Sequence, residues 1–213
     1  VIVETFPVGL LQCNCTVLGD PESKQAIVVD PGDEVEKVLA VLRGHGLTAK
    51  AILNTHTHID HVGANHALRE RTGAKVMLHE ADLPLYDNLK IQAEWMGGMV
   101  LAPPRGQVDE HVHQGDVVKA GALAAEVLHT PGHTPGSLCF HVPGAAPLLL
   151  AGDTLFQGSI GRTDLWGGDY EQELASIKTR LLALDEATRV ICGHGPETTI
   201  GREKKRNPFL AGL

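Results

Sequence analysis

Residues 55 to 61 read Thr55-His56-Thr57-His58-Ile59-Asp60-His61, which places four potential metal ligands within six residues, directly after the apolar run Ala51-Ile52-Leu53. A short apolar run that ends in polar residues reads as a strand leaving the core, so the ligands stand at a probable strand end. In extended backbone alternate side chains share a side, so His56 and His58 point the same way, while Asp60 and His61 extend the cluster as the chain turns toward a helix. One loop built this way can feed two adjacent metal ions. A polar loop with capping duties is the competing reading, and the local density of ligand types argues against it.

Three more candidates sit at the ends of apolar runs: His133 in Pro131-Gly132-His133-Thr134-Pro135-Gly136, Asp153 in Ala151-Gly152-Asp153-Thr154, and His194 in Cys192-Gly193-His194-Gly195. Each is flanked by glycine, which lets backbone approach closely where a side chain must be delivered into a crowded site. Nitrogen and carboxylate ligands without thiolate suit zinc, manganese or iron rather than a structural zinc site built from four cysteines. His45, His66, His79, His111, His113, His129 and His141 join no spaced cluster and are expected at the surface or in structural roles. Arg162 has two readings, an ion pair with Asp164 or a residue at the site border that orients substrate. The basic run Arg202 to Arg206 reads as a solvated face, with substrate-carboxylate binding as the alternative.

Short apolar or alternating runs predict strands over Ile2–Pro7, Cys13–Leu18, Gln25–Asp30, Ala51–Asn54, Lys75–His79, Leu123–Thr130, Leu138–Pro143, Pro147–Gly152 and Arg189–Gly193. Helical spacing puts Val35, Val38, Leu39 and Leu42 on one face, and Leu174, Ile177, Leu181 and Leu184 on another. Asp169 followed by Gln172 predicts that the second of these helices starts near Tyr170, and it should end near Asp185. A third helix is expected over Gly63–Arg71, terminated by Gly73. Between Leu83 and Gln114 the pattern weakens, and Gly97-Gly98 with Pro103-Pro104 predicts a short helix and then a mobile loop bordering a substrate site. Early strands followed by alternating strands and helices imply an α/β layered fold.

At 213 residues, 43% hydrophobic and 21% charged, the composition is that of one globular domain spanning the chain, and no repeat, low-complexity tract or long linker divides it. A net charge of −8 offers no footprint for nucleic acid or an anionic membrane. No apolar stretch approaches the roughly 20 residues needed to span a bilayer. The start Val1-Ile2-Val3-Glu4 lacks the pattern of a signal peptide, so a cytoplasmic location is expected, as a monomer or small homo-oligomer. Cys13, Cys15, Cys139 and Cys192 lack C-x2-C spacing and are expected as ordinary reduced thiols.

The pattern T-H-x-H-x-D-H, followed by isolated His, Asp and His motifs, resembles the metallo-β-lactamase superfamily over nearly the whole chain. The resemblance implies a four-layer αβ/βα sandwich, two mixed sheets flanked by helices. It implies two divalent metal ions, zinc first with iron or manganese as alternatives: one bound by His56, His58 and His133, the other by Asp60, His61 and His194, with Asp153 bridging. Gly152-Asp153-Thr154-Leu155-Phe156, Gly161-Arg162-Thr163-Asp164, Gly167-Gly168-Asp169 and Asn207-Pro208-Phe209-Leu210 are similar to the glyoxalase II-like thioesterases. Larger glyoxalase II enzymes carry a C-terminal helical domain that supplies most glutathione contacts. Here 19 residues follow His194, so the chain looks like the short single-domain members.

That resemblance implies hydrolysis of a small acyl thioester such as S-lactoylglutathione by a metal-bridging hydroxide, with Asp60 and Asp153 as catalytic residues. The alternatives it leaves are a persulfide dioxygenase using one iron on His56, His133 and Asp153, and a hydrolase of the same fold acting on a lactone, β-lactam or phosphodiester. A non-catalytic reading would need closed four-ligand metal spheres, which seven mixed ligands on glycine-flanked loops do not suggest.

Overall fold

The computed structural model describes residues 1–212. In chain order the strands and helices are β1 (Ile2–Val8), β2 (Cys13–Gly19), β3 (Gln25–Val29), α1 (Val35–His45), β4 (Thr48–Leu53), α2 (Ile59–Val62), α3 (Asn65–Thr72), β5 (Lys75–Leu78), α4 (Leu83–Tyr86), α5 (Leu89–Trp95) and β6 (Glu110–His111). There follow β7 (Val117–Ala120), β8 (Leu123–His129), β9 (Leu138–Val142), β10 (Leu148–Gly152), β11 (Leu155–Phe156), β12 (Ser159–Ile160), α6 (Tyr170–Ser176), β13 (Arg189–Cys192), β14 (Thr198–Thr199) and α7 (Ile200–Arg206).

Two six-stranded sheets form, one in the order β1-β2-β3-β4-β5-β6 and the other in the order β14-β13-β10-β9-β8-β7, beside a small β11-β12 hairpin. Both sheets are mixed: β1 to β3 pair antiparallel while β3 to β6 pair parallel, and β10 pairs parallel with β13 but antiparallel with β9. The sheets pack face to face through Leu18, Ile27, Val29 and Leu53 of the first against Val127, Leu138, Phe140 and Leu150 of the second. Alternate residues of the same strands face outward. Val17, Val28 and Ile52 meet Val38, Leu39 and Leu42 of α1 and Leu68 of α3, while Leu149, Ala151 and Val190 meet Ile177, Leu181 and Ile200. The period-2 register of each strand thus builds three cores from two sheets and yields the four layers expected of this α/β sandwich.

The nine expected strands all form, within a few residues at their ends. Asp169 caps α6 by accepting the Gln172 N–H at 3.0 Å, as its spacing predicts. Beyond Ser176 the helix widens into a π turn over Ile177–Leu181 and stops short of Asp185, whose carboxylate instead accepts the Ala187 N–H in a turn. The helix expected over Gly63–Arg71 forms as α3, Asn65–Thr72, and is preceded by the separate short helix α2. Between them the Ala64 N–H turns away to the Pro31 carbonyl at 2.9 Å, and a Cβ on Gly63 would lie 2.1 Å from the Gly32 oxygen. Gly73 ends α3 in the left-handed conformation as expected. Between Leu83 and Gln114 there are two short helices, and residues 96–109 form neither helix nor strand. The strands β6, β7, β11, β12 and β14 and the helix α7 carry no sequence signal strong enough to predict. Among the described residues no helix is long and apolar enough to cross a membrane.

Candidate metal centre

Each candidate ligand follows the C-terminal end of a strand. His56 and His58 lie just beyond β4, with Asp60 and His61 on α2; His133 sits in the β8–β9 turn, Asp153 follows β10 and His194 follows β13. The structure brings all seven together. His56, His58 and His133 form one group whose ligand atoms lie within 4.8 Å of one another, and Asp60, His61 and His194 form another. Asp153 stands between them, with Oδ2 3.7 Å from His133 Nε2, and Oδ1 3.5 Å from His61 Nε2 and 3.8 Å from His194 Nε2.

The far nitrogen of each ring decides which lone pair faces inward. His133 Nδ1 donates to the Arg162 carbonyl at 2.7 Å and His194 Nδ1 to the Leu11 carbonyl at 3.0 Å, so both turn Nε2 to the site. His61 Nδ1 donates to the buried Asp30 carboxylate at 3.0 Å. The Thr55 hydroxyl donates to the same carboxylate at 2.6 Å, which leaves it to accept from His56 Nδ1 at 3.1 Å. Four rings are therefore held in one tautomer with a bare Nε2 facing inward, as ligand imidazoles require.

His133 Nε2 can accept from His58 Nδ1 at 3.0 Å, but the other three lone pairs lack a protein partner of the right kind. His61 Nε2 and His194 Nε2 face each other at 3.2 Å although both rings carry their proton on Nδ1, and His56 Nε2 and Asp153 Oδ1 are buried without any hydrogen bond. Opposed acceptors and orphaned buried atoms are costly unless a cation lies among them, so the donor set fits two metal ions. Burial, then the neighbouring imidazoles, push His56 well below its usual pKa and His58 down to about 3, which keeps both neutral and available as ligands.

Several residues that position this centre have no motif to announce them. Asp82 is buried between the two ligand loops and accepts from the Thr57 N–H at 3.0 Å, the Thr134 hydroxyl at 2.9 Å and the Gly136 N–H at 2.6 Å. Gln92 accepts the Ile59 N–H at 2.9 Å and donates to the Thr57 and Leu85 carbonyls, fixing the start of α2. Glu173 accepts the His133 N–H at 2.9 Å, and burial raises its carboxyl to about 8. The Asn14 side chain ties β2 to the Cys192 and Gly195 carbonyls on either side of His194. Only their burial distinguishes these polar residues from surface ones, and sequence spacing does not report burial.

The centre forms the floor of an open cleft of about 310 Å³ whose walls include Leu11, Trp95, Met96, Arg162 and Leu165. The loop expected to border the site touches the cleft at its first residue, Met96, while Trp95 reaches it from the end of α5. Arg162 forms the expected ion pair, its guanidinium bonded twice at 2.8 Å to Asp164, whose carboxyl that contact holds down to about 2, and the side chain also lines the cleft. The basic run on α7 lies elsewhere, with Lys205 on Glu186 and Arg202 on Glu203. Of the remaining histidines, His45 and His141 pair with Glu4 and Glu126. His79 and His113 fall with Glu80 in a further group of possible ligands, a grouping their sequence spacing does not reveal, although His79 Nδ1 already accepts the Ala81 N–H. All four cysteines are buried and unpaired.

Comparison with known proteins agrees with this geometry. The family model described as "Metallo-beta-lactamase superfamily" matches residues 8–194. The hydroxyacylglutathione hydrolase GloC of Haemophilus influenzae is 40% identical, over 98% of this chain and 97% of its own length. Among solved structures, the BLEG-1 B3 metallo-beta-lactamase superposes with a TM-score of 0.91 at 39% identity, over 99% of this chain and 100% of that one. TTHA1623 in a di-iron-bound form gives 0.86 at 43% identity, with the same coverage of both chains. With its two mixed sheets, its seven converging candidate ligands and these relatives, the chain belongs to the metallo-beta-lactamase superfamily.

Proposed function

We propose that this chain is a binuclear metal-dependent hydrolase that cleaves a small acyl thioester, a hydroxyacylglutathione or a compound of the same reactive class. The observation that carries this reading is the placement of Asp153, whose two oxygens face opposite histidine groups at the floor of an open cleft. His56, His58 and His133 would hold one ion, Asp60, His61 and His194 the other, and Asp153 both. Bound there, two zinc, iron or manganese ions would supply a Lewis acid for the carbonyl and a water acidic enough to act at neutral pH.

The remaining chemistry falls to the chain's own groups. Asp60, as a carboxylate of the proposed donor set, accepts hydrogen bonds and would orient a proton-bearing nucleophile; holding an ion, it would have no proton to give a leaving group. Among the described residues lining the cleft, every Asp and His belongs to the ligand set and the one further ionisable side chain is Arg162. A site without a spare acid favours a leaving group that departs unprotonated, and a thiolate does so where an amine does not. Arg162, steadied by Asp164, borders the cleft where it can orient a polar part of the substrate.

The similarity to BLEG-1 supports a second reading, in which the acyl group is that of a β-lactam. The experiment that tests both is metal content of the purified protein by mass spectrometry, with turnover of S-lactoylglutathione, a chromogenic cephalosporin and glutathione persulfide under oxygen monitoring. Two metals per chain with thiol release are expected. Faster cephalosporin turnover would select the second reading, and one iron with persulfide-dependent oxygen uptake would overturn hydrolysis altogether.

A further inference from the structure

We infer that the mouth of this cleft selects thioesters bearing a bulky, uncharged, apolar group, aromatic or branched; the inference rests on the thioesterase reading above. The cleft continues into two smaller depressions. One, of about 220 Å³, shares Gln92 and Trp95 with it and adds Ile91 and Trp166. The other, of about 80 Å³, shares Leu11, Ile59 and Asp60 and adds Leu10 and Leu101. Trp95 is 63% exposed, Trp166 49%, Leu10 59% and Leu101 90%, so the largest apolar side chains around the mouth contribute little to any core. A contiguous exposed apolar surface that runs into a reactive centre marks where a ligand covers it.

Charge narrows the ligand further. Among the described residues lining the three depressions Arg162 is the one Lys or Arg, and Asp164 occupies the Nε–Nη2 edge of its guanidinium and offsets its charge. Asp33, outside the donor set, adds negative charge to the same surface. Glutathione presents two carboxylates and one ammonium, and a carboxylate that loses water without gaining a cation is penalised. An aryl group meets no such penalty and gains offset or edge contact with two indoles. The geometry thus places specificity in apolar contact with Trp95 and Trp166 rather than in recognition of a charged carrier.

The test uses the metal-loaded protein and three substrates: S-lactoylglutathione and the acetyl and phenylacetyl thioesters of N-acetylcysteamine. The phenylacetyl compound is expected to show a KM at least tenfold below those of the other two. Trp95→Ala should raise that KM about tenfold, and Trp95→Phe should restore most of it. Trp95 and Trp166 are the chain's two tryptophans. Saturable quenching of intrinsic fluorescence by the unreactive thioether N-acetyl-S-(2-phenylethyl)cysteamine therefore gives a readout independent of turnover. Preference for S-lactoylglutathione with a Trp95→Ala variant indifferent to the acyl group would overturn the inference and leave the thioesterase intact. So would a self-associated form dissolved by Trp95→Ala with no change in KM. Failure to cleave any of the three would instead remove the reading on which the inference stands.

Discussion

Gly193 precedes the ligand His194, and a Cβ built on it would lie 2.0 Å from Asp153 Oδ1, 2.9 Å from the Gly152 carbonyl carbon and 3.0 Å from His61 Cε1. Gly193 does not have a positive φ, so alanine there strains no backbone dihedral and its effect is steric alone. Ordinary contact begins at 3.4 Å, so the Asp153 carboxylate or the strand behind it must give by 1.4 Å. Gly193→Ala therefore displaces the residue that faces both histidine groups while removing no ligand. Overpacking of this kind costs about 1 to 3 kcal/mol of stability, which a sandwich with three cores tolerates. A misplacement of roughly 1 Å at a reacting centre lowers turnover about 100-fold, equivalent to about 2.7 kcal/mol of transition-state stabilisation. The assay is thiol release from a cleaved thioester at saturating zinc, with thermal unfolding and metal stoichiometry measured on the same sample. A folded Gly193→Ala protein within threefold of wild-type kcat/KM would refute the argument that Asp153 must sit where the structure puts it.

Asp30→Ala removes the acceptor shared by His61 and by Thr55, which in turn holds His56, and so should weaken binding of both metal equivalents, the one on His61 by roughly 10- to 100-fold, measured by chelator competition; unchanged affinity for both would count against the assigned partners. Asp153→Ala should abolish activity with the far-ultraviolet circular dichroism spectrum unchanged, and a folded variant turning over at the wild-type rate would remove Asp153 from the mechanism. Glu173, raised to about 8 from an ordinary 4.5, stays protonated in the folded protein over a range in which the unfolded chain releases its proton. Its contribution to stability is then present below about pH 4.5 and lost as pH rises through about 8, so Glu173→Gln should flatten the metal-free protein's stability over that interval in urea titrations. A slope unchanged by the substitution would assign the pH dependence elsewhere.

The convergence of the candidate ligands was legible because their residue types are rare in combination: four donors in six residues at the end of an apolar run point to one shared site. The same holds for the strands, whose alternation follows directly from having one face on the shared core and the other under a helix. Asp30 and Asp82 were not legible. Each has a loop residue's identity and spacing, and becomes a support only when distant segments close over it, Thr55 and His61 over Asp30, Thr57 and Gly136 over Asp82. The break between α2 and α3 was hidden for a like reason, since what diverts Ala64 is the Pro31 carbonyl of another loop. Two-residue strands such as β6 and β14 exist because a neighbouring strand offers an open edge, and they are too short to show alternation of their own.

Each group of candidate ligands draws on both sheets. His56 and His58 follow the first sheet's β4 and meet His133 of the second, while Asp60 and His61 meet His194. An ion in the first group would join residues 75 positions apart, and one in the second residues 133 apart. Held that way, an ion acts as a cross-link closing a long loop, and in the chain-entropy model a bond across ~100 residues stabilises by about 4 to 5 kcal/mol. The four buried cysteines form no disulfide. The ions that fit this centre would then be the rivets of the sandwich as well as its reagents, and the resistance of the fold to unfolding would rise and fall with the metal supply by mass action.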